Sequence, residues 1–94
     1  MFEMTRSEDG TIRLKGRFDA AQVEAHRADF EGIATSCVLD FAELDYISSA
    51  GLGLLFATHK RLVDSGGGLK LVNLKPYIRE LFDIAGFDRV FAID

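Results

Sequence analysis

The sequence has little of what usually staples a small fold or anchors it to something large. One cysteine, Cys37, among 94 residues rules out an intramolecular disulfide and any multi-cysteine metal site. Two histidines, His26 and His59, offer little to pair with as metal ligands. Basic residues are outnumbered, 11 Lys and Arg against 15 Asp and Glu, for a net charge of −4. That balance argues against a nucleic-acid binder that works by neutralising phosphates. The longest apolar run, Ala50 to Ala57, falls far short of the ~20 residues of a spanning helix, so direct membrane insertion is not expected. Met1 to Gly10 is acidic and lacks a basic-then-apolar signal pattern, so the expected location is cytoplasmic, with a reduced thiol.

What is present is ordinary for a folded domain. Hydrophobic residues make up 48% and charged residues 28%, which excludes the low-hydrophobicity, high-charge composition of disorder. A chain of 94 residues has room for one core, so residues 1–94 read as a single domain.

The single proline and nine glycines punctuate the chain legibly. Phe2 to Arg6 reads as a first strand and Glu8-Asp9-Gly10 as a hairpin turn. Thr11 to Gly16 alternates at period two, as a half-buried strand does. Asp19 is placed to cap a helix from Ala20 to about Glu31, with a thin apolar stripe and a stop at Gly32. Cys37 to Phe41 reads as a central strand, and Ala42 to Ile47 as a loop. Ser48 or Ser49 caps the strongest helix, whose stripe is Leu52, Leu55, Phe56, His59, Leu62 and Val63. Ser65 to Gly68 ends it. Leu69 to Asn73 reads as a strand, and Pro76 starts a third helix that buries Ile78, Leu81, Phe82 and Ala85. Gly86 suits a left-handed cap, and Val90 to Ile93 is a short last strand or tail. The order β-β-α-β-α-β-α, with a last β, is that of an α/β fold whose later strands run parallel.

Most of the chain explains itself as core and surface. The exception is Asp45 to Leu55, where two serines meet a helix start and two glycines, Gly51 and Gly53, fall in its first turn. Glycine costs about 1 kcal/mol against alanine inside a helix, so a close approach is one gain to look for. Helix N-termini receive phosphate well, either from a ligand or on a serine that carries it. Leu54 lies off the apolar stripe beside Gly53 and Ala57, where it would serve to anchor a partner. The weaker candidates each have a plain structural explanation. Gly66-Gly67-Gly68 lacks the lysine and spacing of a phosphate-binding loop. Cys37 reads as a buried thiol and His59 as a core or boundary histidine. Asp40, Glu43 and Asp45 read as carboxylates of a solvated loop. No nucleophile-base set can be assembled from the sequence, so a non-enzymatic protein without a cofactor is expected.

The stretch from Val38 to Gly53 resembles the signature of STAS domains, the bacterial anti-sigma factor antagonists. Gly16 to Asp19 is similar to the family's strand-to-helix loop, and Tyr77 to Asp88 to its last helix and glycine stop. The resemblance implies a small mixed sheet of four to five strands packed by three to four helices. It also implies partner switching. The unphosphorylated protein would bind an anti-sigma factor that is itself a serine kinase of the histidine-kinase-like ATPase type. Phosphorylation would break that complex, and a metal-dependent serine phosphatase would restore it. Aligned on Gly51-Leu52-Gly53, the family's acceptor position falls on Ala50, which has no hydroxyl. Ser49, one residue earlier, and Ser48, two earlier, are the candidate acceptors. The partner surface implied is Phe18, Asp19, Ser48, Ser49, Ala50, Gly51, Leu52, Gly53 and Leu54. The alternative function is a structural STAS subunit of a membrane transport ATPase, with no phospho-switch.

Overall fold

The computed structural model describes residues 1–94. Strand β1 (Phe2–Arg6) turns back into β2 (Ile12–Phe18), and helix α1 (Ala20–Glu31) leads to β3 (Cys37–Ile47). Helix α2 (Ser49–Asp64), β4 (Leu69–Val72) and helix α3 (Pro76–Ile84) follow. A single 3-10 turn (Phe87–Arg89) precedes the two-residue β5 (Ala92–Ile93). The five strands lie side by side in chain order. β1 is antiparallel to β2, and β2, β3, β4 and β5 are mutually parallel.

That order decides where the helices go. Three successive right-handed crossovers stepping the same way place α1, α2 and α3 on one face of the sheet. The strands obey the consequence. Ile12, Leu14 and Phe18 of β2 are buried under the helices, while Arg13, Lys15 and Arg17 face water. Nineteen apolar residues form one continuous core. Phe18 links its two sides at the β1 end, stacked on Phe2 at 4.4 Å and tilted against Phe30 of α1 at 5.4 Å.

The helix boundaries agree closely with the sequence. Asp19 caps α1 by accepting the Gln22 amide at 3.1 Å, and only Val23 and Phe30 of that helix are buried. Gly32 ends α1 in ordinary right-handed geometry, whereas Gly86, after α3, takes the left-handed conformation at φ 77°. Ala85, expected in the α3 stripe, is exposed.

Two expectations need correction. The first concerns Ala42 to Ile47, which is not a loop: β3 continues unbroken to Ile47. Its pairing with β2 slips twice. Arg13 faces Asp40 but Lys15 faces Glu43, and Gly16 faces Leu44 but Arg17 faces Tyr46. Each slip puts an extra residue into β3, as a β-bulge does. Inward residues therefore recur unevenly, at Leu39, Phe41, Leu44 and Ile47, and the period-two signature of a strand is lost. The Asp40 carboxylate steadies the first bulge, accepting the Ala42 amide at 2.9 Å and the Asn73 side-chain amide at 3.1 Å.

The second correction is the buried face of α2, which is Gly51, Leu54, Leu55, Thr58 and Leu62. Phe56 and Val63, expected inside, are exposed. Thr58 was silent in the sequence because a hydroxyl counts as polar. Here it donates to the Leu54 carbonyl at 2.8 Å and is satisfied within its own helix.

The bulged register has a direct check. Leu44→Ala should cost about 2–5 kcal/mol, because Leu44 is wholly buried. Its neighbour Glu43→Ala should change stability by less than about 1 kcal/mol, since Glu43 makes only a 3.8 Å surface pair with Lys15. Urea unfolding midpoints of the two variants would separate a strand from a loop.

Candidate functional site

The site forms where β2 and β3 end together. Phe18 and Ile47 are register partners, and the Ser48 amide donates to the Phe18 carbonyl at 3.0 Å. The chain leaves the sheet at Ser48, whose extended backbone (φ −85°, ψ 167°) makes it the N-cap of α2. Its hydroxyl oxygen accepts the Gly51 amide at 3.1 Å, and its carbonyl accepts the Leu52 amide at 2.9 Å. The choice between the two serines as cap is thereby settled in favour of Ser48.

The amides at a helix start need partners from outside the helix. The Ser48 amide finds Phe18 and the Gly51 amide finds the cap hydroxyl. The amides of Ser49 and Ala50 are left to solvent, and both residues are exposed. The Ser49 hydroxyl stands beside them, free of any hydrogen bond within the chain. Two open amides at the positive end of a sixteen-residue helix make this an electropositive spot in an otherwise acidic protein.

The two glycines have different work. A Cβ on Gly51 would stand 2.8 Å from Ile47 Cγ1 and 2.9 Å from Phe18 Cδ2, with the Phe18 carbonyl at 3.2 Å. Gly51 therefore lets α2 lie directly on the strand ends. A Cβ on Gly53 would meet nothing within 4 Å, so Gly53 faces open space beside Ser49 and Ala50.

This contact also relocates two of the candidate partner residues. Phe18 is 0% exposed and Leu54 only 5%. With Gly51 pressed on the sheet, Leu54, three residues on, shares its inward face. Both side chains support the surface from beneath and neither is available to a partner. Leu52 and Ser48 are half-buried, and Asp19, half-buried nearby, spends its carboxylate on the α1 cap.

Charged residues flank the site on the open side of the sheet. Arg17 lies over the Tyr46 ring at 4.4 Å, and Lys75, just before α3, bonds Asp45 at 2.6 Å. The Lys75 ammonium holds the Asp45 carboxyl below the usual carboxylate range. The other carboxylates named from sequence sit on β3 and are also taken, Asp40 by Ala42 and Asn73, Glu43 by Lys15. Cys37 is half-buried at the start of β3, where burial pushes its thiol up, away from the reactive thiolate. His59 accepts the Leu69 amide at 3.0 Å, as a boundary histidine does. One further feature has no signal in the sequence, the stacking of exposed Phe56 on Phe87 at 5.5 Å, because the two lie on separate elements.

The profile of the family described as STAS domain matches residues 3–94. The chain belongs to the STAS domain family. Among its relatives is the provisionally named anti-sigma factor antagonist BtrV of Bordetella bronchiseptica, 42% identical over 76 residues. That match covers 80% of this chain, which spans about two thirds (66%) of BtrV. The anti-sigma F factor antagonist of Lysinibacillus sphaericus is 32% identical over 89 residues, covering 89% of this chain and 76% of the relative. The solved structure of the anti-sigma factor antagonist SpoIIAA in its unphosphorylated form superposes with a TM-score of 0.77 at 25% identity. It covers all of this chain and 88% of SpoIIAA. The five-stranded mixed sheet with three helices is thus the STAS fold.

Opposite outcomes are expected for the two glycines of this STAS domain. Gly53→Ala should raise stability by about 1 kcal/mol, since alanine favours the helix and meets no neighbour. Gly51→Ala should lower it by about 1–3 kcal/mol through overpacking on Phe18 and Ile47. Thermal unfolding of both variants checks the pair. Leu54→Arg should unfold the domain, visible by circular dichroism, because it buries a charge without a partner.

Proposed function

We propose that this STAS domain is an anti-sigma factor antagonist that works by partner switching, with Ser49 as the phosphate acceptor. The unmodified protein docks an anti-sigma factor that is also a serine kinase of the histidine-kinase-like ATPase type. Phosphorylation of Ser49 releases it, and a serine phosphatase resets it. The names of its relatives support the antagonist role. The observation that carries the choice of Ser49 is the division of labour between the two serines. Ser48 spends its hydroxyl on the helix cap, while Ser49 is exposed beside two open amides.

Charge is the working part of the switch. A phosphate adds about −1.5 to −2 at neutral pH. The helix start accommodates that charge, since its dipole and free amides favour an anion. A partner seated over Ser49, Ala50 and Gly53 is not so placed. It would have to desolvate the phosphate or retreat from it. Phe18, Gly51 and Leu54 serve this surface by holding α2 in place, and Asp19, Ser48 and Leu52 border it. Ala50, at the family's acceptor position, is ruled out as an acceptor by its chemistry.

The test is a pull-down of the tagged protein from its native cell extract, with mass spectrometry of the bait and its partners. A kinase-like ATPase should be recovered, with phosphate on Ser49. Ser49→Asp should weaken that partner more than about tenfold, beyond the 0–1 kcal/mol of an exposed rim charge. Ser48→Ala should cost about 1 kcal/mol of folding stability through the lost cap and still accept phosphate. Recovery of transporter subunits with an unmodified bait would instead make this a structural subunit and overturn the switch.

A further inference from the structure

The two edges of the sheet are unlike. At one side β5 has only two residues, and so short an edge strand offers little to pair with. At the other side β1 runs for five residues, and its pairing with β2 is continuous from Phe2–Gly16 to Arg6–Ile12, with no bulge. It contains no proline, and β2 is its only neighbour in the sheet.

Two hydrogen bonds fix which backbone groups of β1 point outward. At the turn the Ser7 amide donates to the Thr11 carbonyl at 2.8 Å, and at the far end the Arg17 amide donates to the Met1 carbonyl at 2.8 Å. Both fall on the register of the strand pair. In an antiparallel pair, residues that exchange bonds alternate with residues that do not. Counted from either end, Glu3 and Thr5 spend their amides and carbonyls on β2. Phe2, Met4 and Arg6 direct theirs away from the sheet, and no other element of the chain bonds to them. Their side chains lie on the helix face, with Phe2 buried and Met4 half-buried, while Glu3 and Thr5 are exposed on the face turned to water.

We propose that the free edge of β1 is the pairing site for a second copy of this chain, whose own β1 docks antiparallel about a two-fold axis at Met4. In that register Met4 faces Met4, Phe2 faces Arg6 and Glu3 faces Thr5. The outward residues of the two copies then exchange every free amide and carbonyl among themselves. Neighbouring registers do worse. An axis at Glu3 sets Glu3 against Glu3, two like charges directly opposite, and leaves Arg6 without a counterpart in the strand. An axis at Thr5 sets Phe2 opposite Glu8, which lies in the turn. This self-matching about Met4 is what favours a second copy over an unrelated strand. The helix side leaves room as well. A groove of about 230 Å³ opens beside the edge between Met4, Arg6, His26 and Asp29, and it receives Met4 of the second copy. Each chain has one such edge, so the pairing closes as a dimer and does not propagate. Phe2 stacks on Phe18 at the end of the sheet that carries Ser49. Antiparallel pairing therefore sends the two copies' Ser49 surfaces to opposite ends and covers neither. The dimer stands or falls independently of the phospho-switch.

The experiment is sedimentation equilibrium of the full chain. The native protein should rise from its single-chain mass of 10.4 kDa to twice that below about 1 mM. Met4→Pro removes an amide that faces solvent and leaves the β2 ladder whole, so it should stay at 10.4 kDa with an unchanged circular dichroism spectrum. Thr5→Glu sets a carboxylate opposite Glu3 of the other copy, twice per dimer, while its neighbour on β2 is Arg13. It should weaken association about tenfold, and adding Glu3→Gln should restore it. In amide exchange by NMR, Met4 and Arg6 of the native chain should slow as concentration rises, while Glu3 and Thr5 stay constant. A native chain that remains at 10.4 kDa at about 1 mM overturns the dimer and leaves the edge to an extended segment of another protein. Association that survives both Met4→Pro and Thr5→Glu also overturns it, because the contact then lies elsewhere. If Met4→Pro does not fold, Thr5→Glu and its rescue decide.

Discussion

The seating of Gly51 on the ends of β2 and β3 is the contact on which the rest of the molecule depends. The missing side chain lets the α2 backbone settle against Phe18 and Ile47, where a Cβ would come within 3 Å of both. That closeness sets the rotation of α2 about its own axis. Leu54, Leu55, Thr58 and Leu62 then follow Gly51 inward, and Ser49, Ala50, Gly53 and Phe56 turn outward. The same contact brings the Ser48 amide onto the Phe18 carbonyl. Core packing and the presentation of the candidate site are therefore one geometric fact.

The sheet divides its labour by face. Sequential strand order with crossovers of one hand places every helix on the same side, so one face is apolar and the other meets water. On the wet face β2 offers Arg13, Lys15 and Arg17, and β3 opposes them with Asp40, Glu43 and Tyr46, while Asp45 reaches Lys75. The resulting pairs are exposed and each contributes little to stability. Their part is to align strands and to hold the β4–α3 connection, through Asp45 with Lys75 and Asp40 with Asn73. What emerges at the C-terminal ends of the parallel strands is a row of helix starts, two capped by side chains and one begun by Pro76.

Much of the architecture was legible in the chain. Asp19, Pro76, Gly86 and the Glu8–Gly10 turn act within a few residues of themselves, so their signals survive in one dimension. The second half of β3 was not legible, because two bulges break the alternation by which a strand is recognised. The inward face of α2 is hidden in the sequence for a related reason. Phe56 and Val63 are apolar and match helical spacing, but a buried glycine carries no hydrophobic signal of its own. Leu54 consequently reads as a surface residue in one dimension, although it is core.

The sequence by itself determined the element order, the α/β class, the family resemblance and the presence of two hydroxyls and two glycines at one helix start. These follow from local backbone preferences and from composition, which need no knowledge of distant neighbours. Only the tertiary structure decided which hydroxyl is spent and which is free, and which glycine is a packing contact and which is open surface. The reason is physical. Ser48 and Ser49, or Gly51 and Gly53, are chemically alike in one dimension. They become different only when Phe18 and Ile47, brought from β2 and β3, press against one side of the helix and leave the other to solvent.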